Sequence, residues 1–176
     1  MGSFIFVTEP LEIKTEDVFT MRVTQYKTIL TSDRKVVLEK EVSINYPEIK
    51  RVIKSPDDVD RFARNVLNLD MQAEEYLYML CLNTKNAITS VFELSHGSVN
   101  SSIFSVRETF QKALLANAVN VIFLHNHPSG DCTPSREDVE VTKRAAEAGK
   151  ILGVDVLDHI IIGDILYSSL KEKGYL

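Results

Sequence analysis

The run Tyr76-Leu-Tyr-Met-Leu-Cys-Leu82 constrains the fold more than any other stretch. It follows Glu74 and Glu75 and contains no charged residue or glycine. Its length and aromatic content read as a strand buried inside a sheet, not one with a wet face. Asn83-Thr-Lys-Asn86 is a turn signal, and Ala87–Leu94 makes a second strand, so the pair reads as a hairpin. Val119–Leu124 and Val154–Ile162 are further apolar strands, Ile165–Ser168 is a last short one, and Ser169–Lys173 reads as a closing helical turn.

Helix starts lie between these runs. Ser55-Pro56-Asp57-Asp58 supplies a cap, a proline for the first position and acids for the first turn. Val59, Phe62, Ala63, Val66 and Leu67 follow at helical spacing, and the helix ends near Leu69. Ser105-Val-Arg-Glu108 has capping-box spacing and opens a helix through Ala116. Ser135-Arg-Glu-Asp138 opens another that runs to Leu152 and stops at Gly153. Helices alternating with strands give an α/β layered class. The first fifty residues differ in character. Met21–Leu30 and Arg34–Ile44 alternate Val, Thr, Ile and Leu about a turn, which reads as a β-hairpin, and residues 1–18 read as an extended arm. The expected organisation is an extension over residues 1–50 and a main domain over 51–176.

Composition excludes several classes. The chain has 176 residues, enough for one core without a disulfide staple. Cys81 and Cys132 form no spaced pattern, so they read as reduced thiols of a cytoplasmic protein. No apolar run is long enough to span a membrane, and the first residues lack the positive region of a signal peptide. The formal charge of −5 argues against a domain whose main task is gripping phosphate backbones, though a local basic patch remains open.

The chemistry concentrates in His125-Asn-His-Pro-Ser-Gly-Asp-Cys-Thr-Pro-Ser-Arg-Glu-Asp138. Histidines at i and i+2 at a strand end project to one side and can converge on one ion. Two histidines and a carboxylate are a common catalytic Zn²⁺ set with one position left open. Asp138 in the first turn of a helix is held ionised by the positive end of the dipole. Asp138 is equally a helix-cap partner of Ser135. These residues alone leave a metal site and a capped structural loop as alternatives.

The spacing His125-x-His127, seven residues, then Ser135-x-x-Asp138 matches the JAMM motif of JAB/MPN metallopeptidases. The fuller string resembles the bacterial RadC branch. So do Leu82-Asn-Thr-Lys-Asn86, Gly97-Ser-Val-Asn-Ser-Ser102, Arg107-Glu108 and Leu157-Asp-His-Ile-Ile161. The resemblance runs colinearly over about residues 55–176. It implies the cytidine-deaminase-like α/β sandwich of JAB/MPN domains, a mixed sheet flanked by helices. It also implies zinc on His125, His127 and Asp138, with Ser135 as the oxyanion donor. The family's general base, a glutamate at the start of the first core strand, falls on Glu75, with Glu74 as the competing position. The implied activity is a zinc-dependent hydrolase of peptide or isopeptide bonds.

The rival reading is a non-catalytic RadC-like module, associated with DNA repair, whose metal site organises a surface for a protein or DNA partner. RadC proteins usually carry a helix-hairpin-helix segment, where this chain has the arm and hairpin. With the charge of −5, that disfavours direct nucleic-acid binding. A zinc nucleoside deaminase is weaker still, because its His/Cys-x-Glu and Pro-Cys-x-x-Cys set is missing from the chain. His159, with Asp158, reads as a buried structural histidine or an outer support of the metal site. His96 reads as a loop residue, and Cys132 as a bystander in the metal loop. Exposed edges in the 20–44 hairpin would suit a homodimer.

Overall fold

The computed structural model describes residues 20–47, 51–97 and 104–176; the 1–18 arm lies outside them. The elements run β1 (Thr20–Leu30), β2 (Val36–Pro47), α1 (Pro56–Leu67), β3 (Tyr76–Leu82), β4 (Ile88–His96), α2 (Val106–Leu115), β5 (Asn120–Asn126), α3 (Arg136–Leu152), β6 (Asp155–Ile162) and β7 (Tyr167–Ser169). A short 3-10 turn, Leu69–Met71, links α1 to β3. Among the described residues the strands form one seven-stranded sheet in the order β2-β1-β4-β3-β5-β6-β7. It is mixed: β3 is antiparallel to β4 and β5, while β5 and β6 are parallel, joined by α3.

The uninterrupted run of β3 is explained by cover on both faces. Leu77, Met79 and Cys81 point to one face, where they meet Phe123 of β5, Phe110 of α2 and Val141 and Ala145 of α3. Tyr78, Leu80 and Leu82 point to the other, against Phe62 and Val59 of α1, with Ile122 and Leu124. Alternate residues of one strand therefore serve two cores. Phe62, Phe92, Phe110 and Phe123 are all essentially inaccessible. Each such side chain contributes about 1.5–3 kcal/mol of burial.

The hairpin forms as expected, but it is not apart from the rest. β1 lies parallel to β4 with Gln25 opposite Val91, and Met21 and Val23 sit in the core beside α1. Without β1, the outer edge of β4 would present unpaired N–H and C=O groups. β2 becomes the sheet edge instead, with Val42 and Ile44 exposed. Three local expectations shift. Ser55 occupies the cap position of α1 without a side-chain cap bond. The last strand begins at Tyr167, two residues later than expected. The closing helical turn is a set of hydrogen-bonded turns, with Lys173 N donating to Ser169 O at 3.1 Å. Among the described residues no helix is long and apolar enough to cross a membrane.

Candidate metal centre

β5 carries the first ligand candidate, His125, at its carboxyl end, and α3 begins one loop later. His127 N donates to Ile162 O at 3.0 Å, so the chain leaves β3 there but stays against β6. It then turns: Gly130 N donates to His127 O at 2.9 Å, and Asp164 N donates to Gly130 O at 3.0 Å. Gly130 has φ +81°, a conformation that costs glycine little. Thr133 N donates to Asp131 Oδ1 at 2.9 Å, an aspartate turn that aims the chain at the helix start.

The N-terminus of α3 is a full capping box. Ser135 Oγ accepts from Asp138 N at 3.1 Å, and Asp138 Oδ2 accepts from Ser135 N at 2.8 Å. The Ser135 hydroxyl also donates to Asp138 Oδ2 at 2.7 Å. Cap and ligand candidate are thus one structure, and the two sequence alternatives merge. Ser135 spends its single proton on Asp138 here, so donation to a substrate oxygen requires the hydroxyl to rotate.

Asp138 meets both histidines. Its Oδ1 lies 3.2 Å from His125 Nδ1 and its Oδ2 lies 3.5 Å from His127 Nε2. The imidazoles stand edge to face, with centroids 4.8 Å apart. One donor atom from each of His125, His127 and Asp138 falls within 4.8 Å of the others, so the group can hold a metal ion. Burial works against the Asp138 carboxylate, but bonds from His125, His127 and Ser135 outweigh it and hold the group well below the usual carboxylate range. The bond to Asp138 raises the His127 pKa against its burial, with smaller help from the Asp131 carbonyl and the charge of Glu75.

The donor set fits a divalent cation on three further counts. His127 Nδ1 lies 2.7 Å from Asp131 O. A carbonyl only accepts, so Nδ1 keeps its proton, and it is Nε2, beside Asp138, that gives up a proton to an incoming cation. His125 Nε2 is buried with no hydrogen-bond partner. The carboxylate is ionised, as a ligand must be.

Glu75 lies just ahead of β3. Leu77 pairs with His125 at the end of the β3–β5 ladder, and the charge of Glu75, two residues before Leu77, reaches His127. Alternation then puts Glu75 on the face of Leu77 and Met79 and Glu74 on the other. Glu75 is half-buried and Glu74 exposed. His96 stands apart, paired with Glu93 at 2.8 Å and stacked on Tyr76. Asp158 is also apart from the ligands. It accepts from Ser169 Oγ, Lys171 N and His159 N, which fastens the C-terminal turns to β6. Cys132 does not belong to the ligand group.

His159 supports the site from behind. Its Nδ1 lies 2.6 Å from Thr142 Oγ1, which donates to Asp138 O at 2.6 Å. The hydroxyl has one proton and gives it to the carbonyl, so His159 Nδ1 carries its own. Burial and the neighbouring His125 lower the His159 pKa to about 3, so the ring is neutral. Sequence reasoning missed Thr142, although its position four residues after Asp138 places it one helical turn above. It also missed Asn126, whose side chain bonds to the backbone on both sides of Glu75.

Comparison with known proteins points to one family. The RadC-like JAB domain family matches residues 53–175. A UPF0758 protein of Halalkalibacterium halodurans is 50% identical over 125 residues, 71% of this chain and 53% of its own length. One from Syntrophomonas wolfei is 39% identical over 160 residues, 84% of this chain and 68% of that protein. One from Desulfitobacterium hafniense is 42% identical over 161 residues, 88% and 69% respectively. The chain spans about half to two thirds of these relatives. A family match over most of the main domain, on a mixed sheet that gathers two histidines and an aspartate, makes this chain a member of the RadC-like JAB domain family.

Proposed function

We propose that the chain is a zinc-dependent hydrolase that cleaves a peptide or isopeptide bond. The observation that carries this reading is the convergence of His125, His127 and Asp138, with the charge of Glu75 acting on His127. His125, His127 and Asp138 hold the ion, and their 2-His-1-carboxylate set favours zinc with a position left open. Bound zinc supplies Lewis acidity and makes a nucleophile from water near neutral pH. Glu75 takes the proton released from that water and passes it to the leaving amine. Ser135 turns its hydroxyl from Asp138 toward the developing oxyanion, a contribution of about 3 kcal/mol in comparable sites. The Asp131 carbonyl accepts from His127 Nδ1 and so holds the ring with Nε2 beside Asp138, where it would meet the ion.

The substrate is a polypeptide or a modifier joined through an isopeptide bond. The formal charge of −5 on the chain disfavours a direct grip on DNA. Metal analysis after chelator-free purification tests the first step, with about one equivalent of zinc expected. A content below about a tenth of an equivalent, with no uptake on titration, removes the reading. Glu75→Gln is expected to keep the metal and lose hydrolysis of a peptide library. Unchanged hydrolysis removes Glu75 as the base. Salt-sensitive binding to duplex DNA without hydrolysis would favour a binding module.

A further inference from the structure

Where the chain turns away after His125, β3 loses its backbone partner. His127 N is committed to Ile162 O on the opposite neighbour. The peptide groups on either side of Glu75 would then lack a partner on the β5 side. Asn126 fills this gap with its side chain. Its Oδ1 accepts from Tyr76 N at 2.7 Å, and its Nδ2 donates to Glu74 O at 3.0 Å. The side chain is 2% exposed, so water does not compete for these bonds.

Those two groups belong to the two peptide units that meet at the Glu75 Cα. Holding both planes fixes φ and ψ of Glu75 and therefore the direction of its Cα–Cβ bond. On the other edge, Gly97 N donates to Glu75 O at 2.9 Å. A primary amide suits the task because it offers one donor and one acceptor in peptide-like geometry. Aspartate only accepts, and serine is too short to bridge both groups.

We propose that Asn126 is a positioning residue for Glu75, aligning the base with the ion held by the two histidines that flank Asn126 in the chain. This rests on Glu75 being the base, as proposed above. Asn126 touches neither substrate nor ion. Its role is to join the ligand strand to the base strand, so that one segment sets both halves of the site.

The test uses the full chain loaded with Zn²⁺ or Co²⁺, comparing Asn126→Ala, Asn126→Asp, Glu75→Gln and the Glu75→Gln/Asn126→Ala double variant. Zinc affinity by chelator competition is expected to stay within about threefold for all four, far less than the loss caused by removing a ligand's own support. The Tyr76 amide is expected to exchange at least about tenfold faster in Asn126→Ala, but to stay protected in Asn126→Asp, which keeps that acceptor. The pH midpoint of the Co²⁺ absorption is expected to move in Glu75→Gln and, in the same direction, in Asn126→Ala, whereas Asn126→Asp serves only the amide-exchange comparison because it adds a charge of its own. The double variant should add nothing to Glu75→Gln.

A midpoint unchanged in Asn126→Ala, while Glu75→Gln moves it, overturns the positioning role. So does a zinc affinity that falls as far as the midpoint shifts. If Glu75→Gln itself leaves the midpoint in place with metal bound, the base assignment fails instead. Tyr76 exchange still reports separately on whether the clamp exists.

Discussion

Replacing Thr142 with valine removes one oxygen from a fully buried position and keeps the side-chain shape. Two bonds of 2.6 Å disappear, one to Asp138 O and one to His159 Nδ1. His159 Nε2 already lacks a partner, so the ring is left with no hydrogen bond at all. An unpaired buried N–H costs about 1–3 kcal/mol, and the lost bond to the helix carbonyl adds about 1 kcal/mol or less. No cavity opens, because valine matches threonine in shape. The expected loss is about 2–3 kcal/mol, or about 4–12 °C in Tm for a domain of this size. Urea denaturation of the metal-free protein measures it, with an unchanged m-value. His159→Leu in the same background removes the stranded donor. The double variant is then expected to fall short of the sum of the singles by about 1 kcal/mol. A Thr142→Val loss under about 0.5 kcal/mol, or strictly additive singles, would refute the chain of bonds from Asp138 to His159.

Three further outcomes follow from the geometry. Gly149→Ala places a Cβ 2.3 Å from Val154 O and 3.2 Å from the Phe110 ring. Helix propensity alone predicts a gain of about 1 kcal/mol, whereas the clash predicts a loss of at least about 1–3 kcal/mol, so the sign of the change in denaturation midpoint decides. Arg64 donates to the carbonyls of Asp164, Gly163 and Leu166 at 2.7, 3.2 and 3.3 Å. Arg64→Ala is expected to cost about 2 kcal/mol and to speed amide exchange at Gly163 and Asp164, while protected amides there would contradict the anchoring role. Zinc affinity should weaken on acidification, because protons compete for the ligand histidines. The raised pKa of His127 means that this decline begins above the ordinary histidine value of 6.5. The His127–Asp138 pair stabilises the metal-free fold fully below 6.5, and that contribution is lost as the pH rises through the folded value. Chelator should therefore lower Tm more at pH 8 than at pH 6, and an equal effect at both would oppose this sign.

Much of the fold was legible because it rests on local rules. The capping box at Ser135 and Asp138 and the stop at Gly153 bound α3 at its expected ends. The unbroken run of β3 announced a strand covered on both faces, and the two core clusters supply that cover. The three ligand candidates were legible for the same reason, since strand alternation and a helix first turn set their directions. The choice between Glu75 and Glu74 was not a local matter on residue chemistry alone, because both are acids at a strand start. Bringing the charge of Glu75 to His127 takes the pairing of β3 with β5.

Thr142 and Asn126 show the other limit. A threonine within a helix and an asparagine at a strand end are ordinary in isolation. Thr142 becomes a link only when β6 brings His159 within 2.6 Å of its hydroxyl. Asn126 becomes a clamp only when β5 bends toward Ile162 and leaves two peptide groups of β3 to be satisfied. The hairpin of residues 20–47 is of the same kind, since alternation predicts two strands but not that β1 lies beside β4. The sequence by itself determined the main elements, the Ser135 capping box and the candidate ligands, because these depend on neighbours within a few residues. Tertiary structure alone decided the strand order, the approach of Glu75 to His127 and the buried supports, because long-range pairing and the need to satisfy every buried polar group act between residues far apart in the chain.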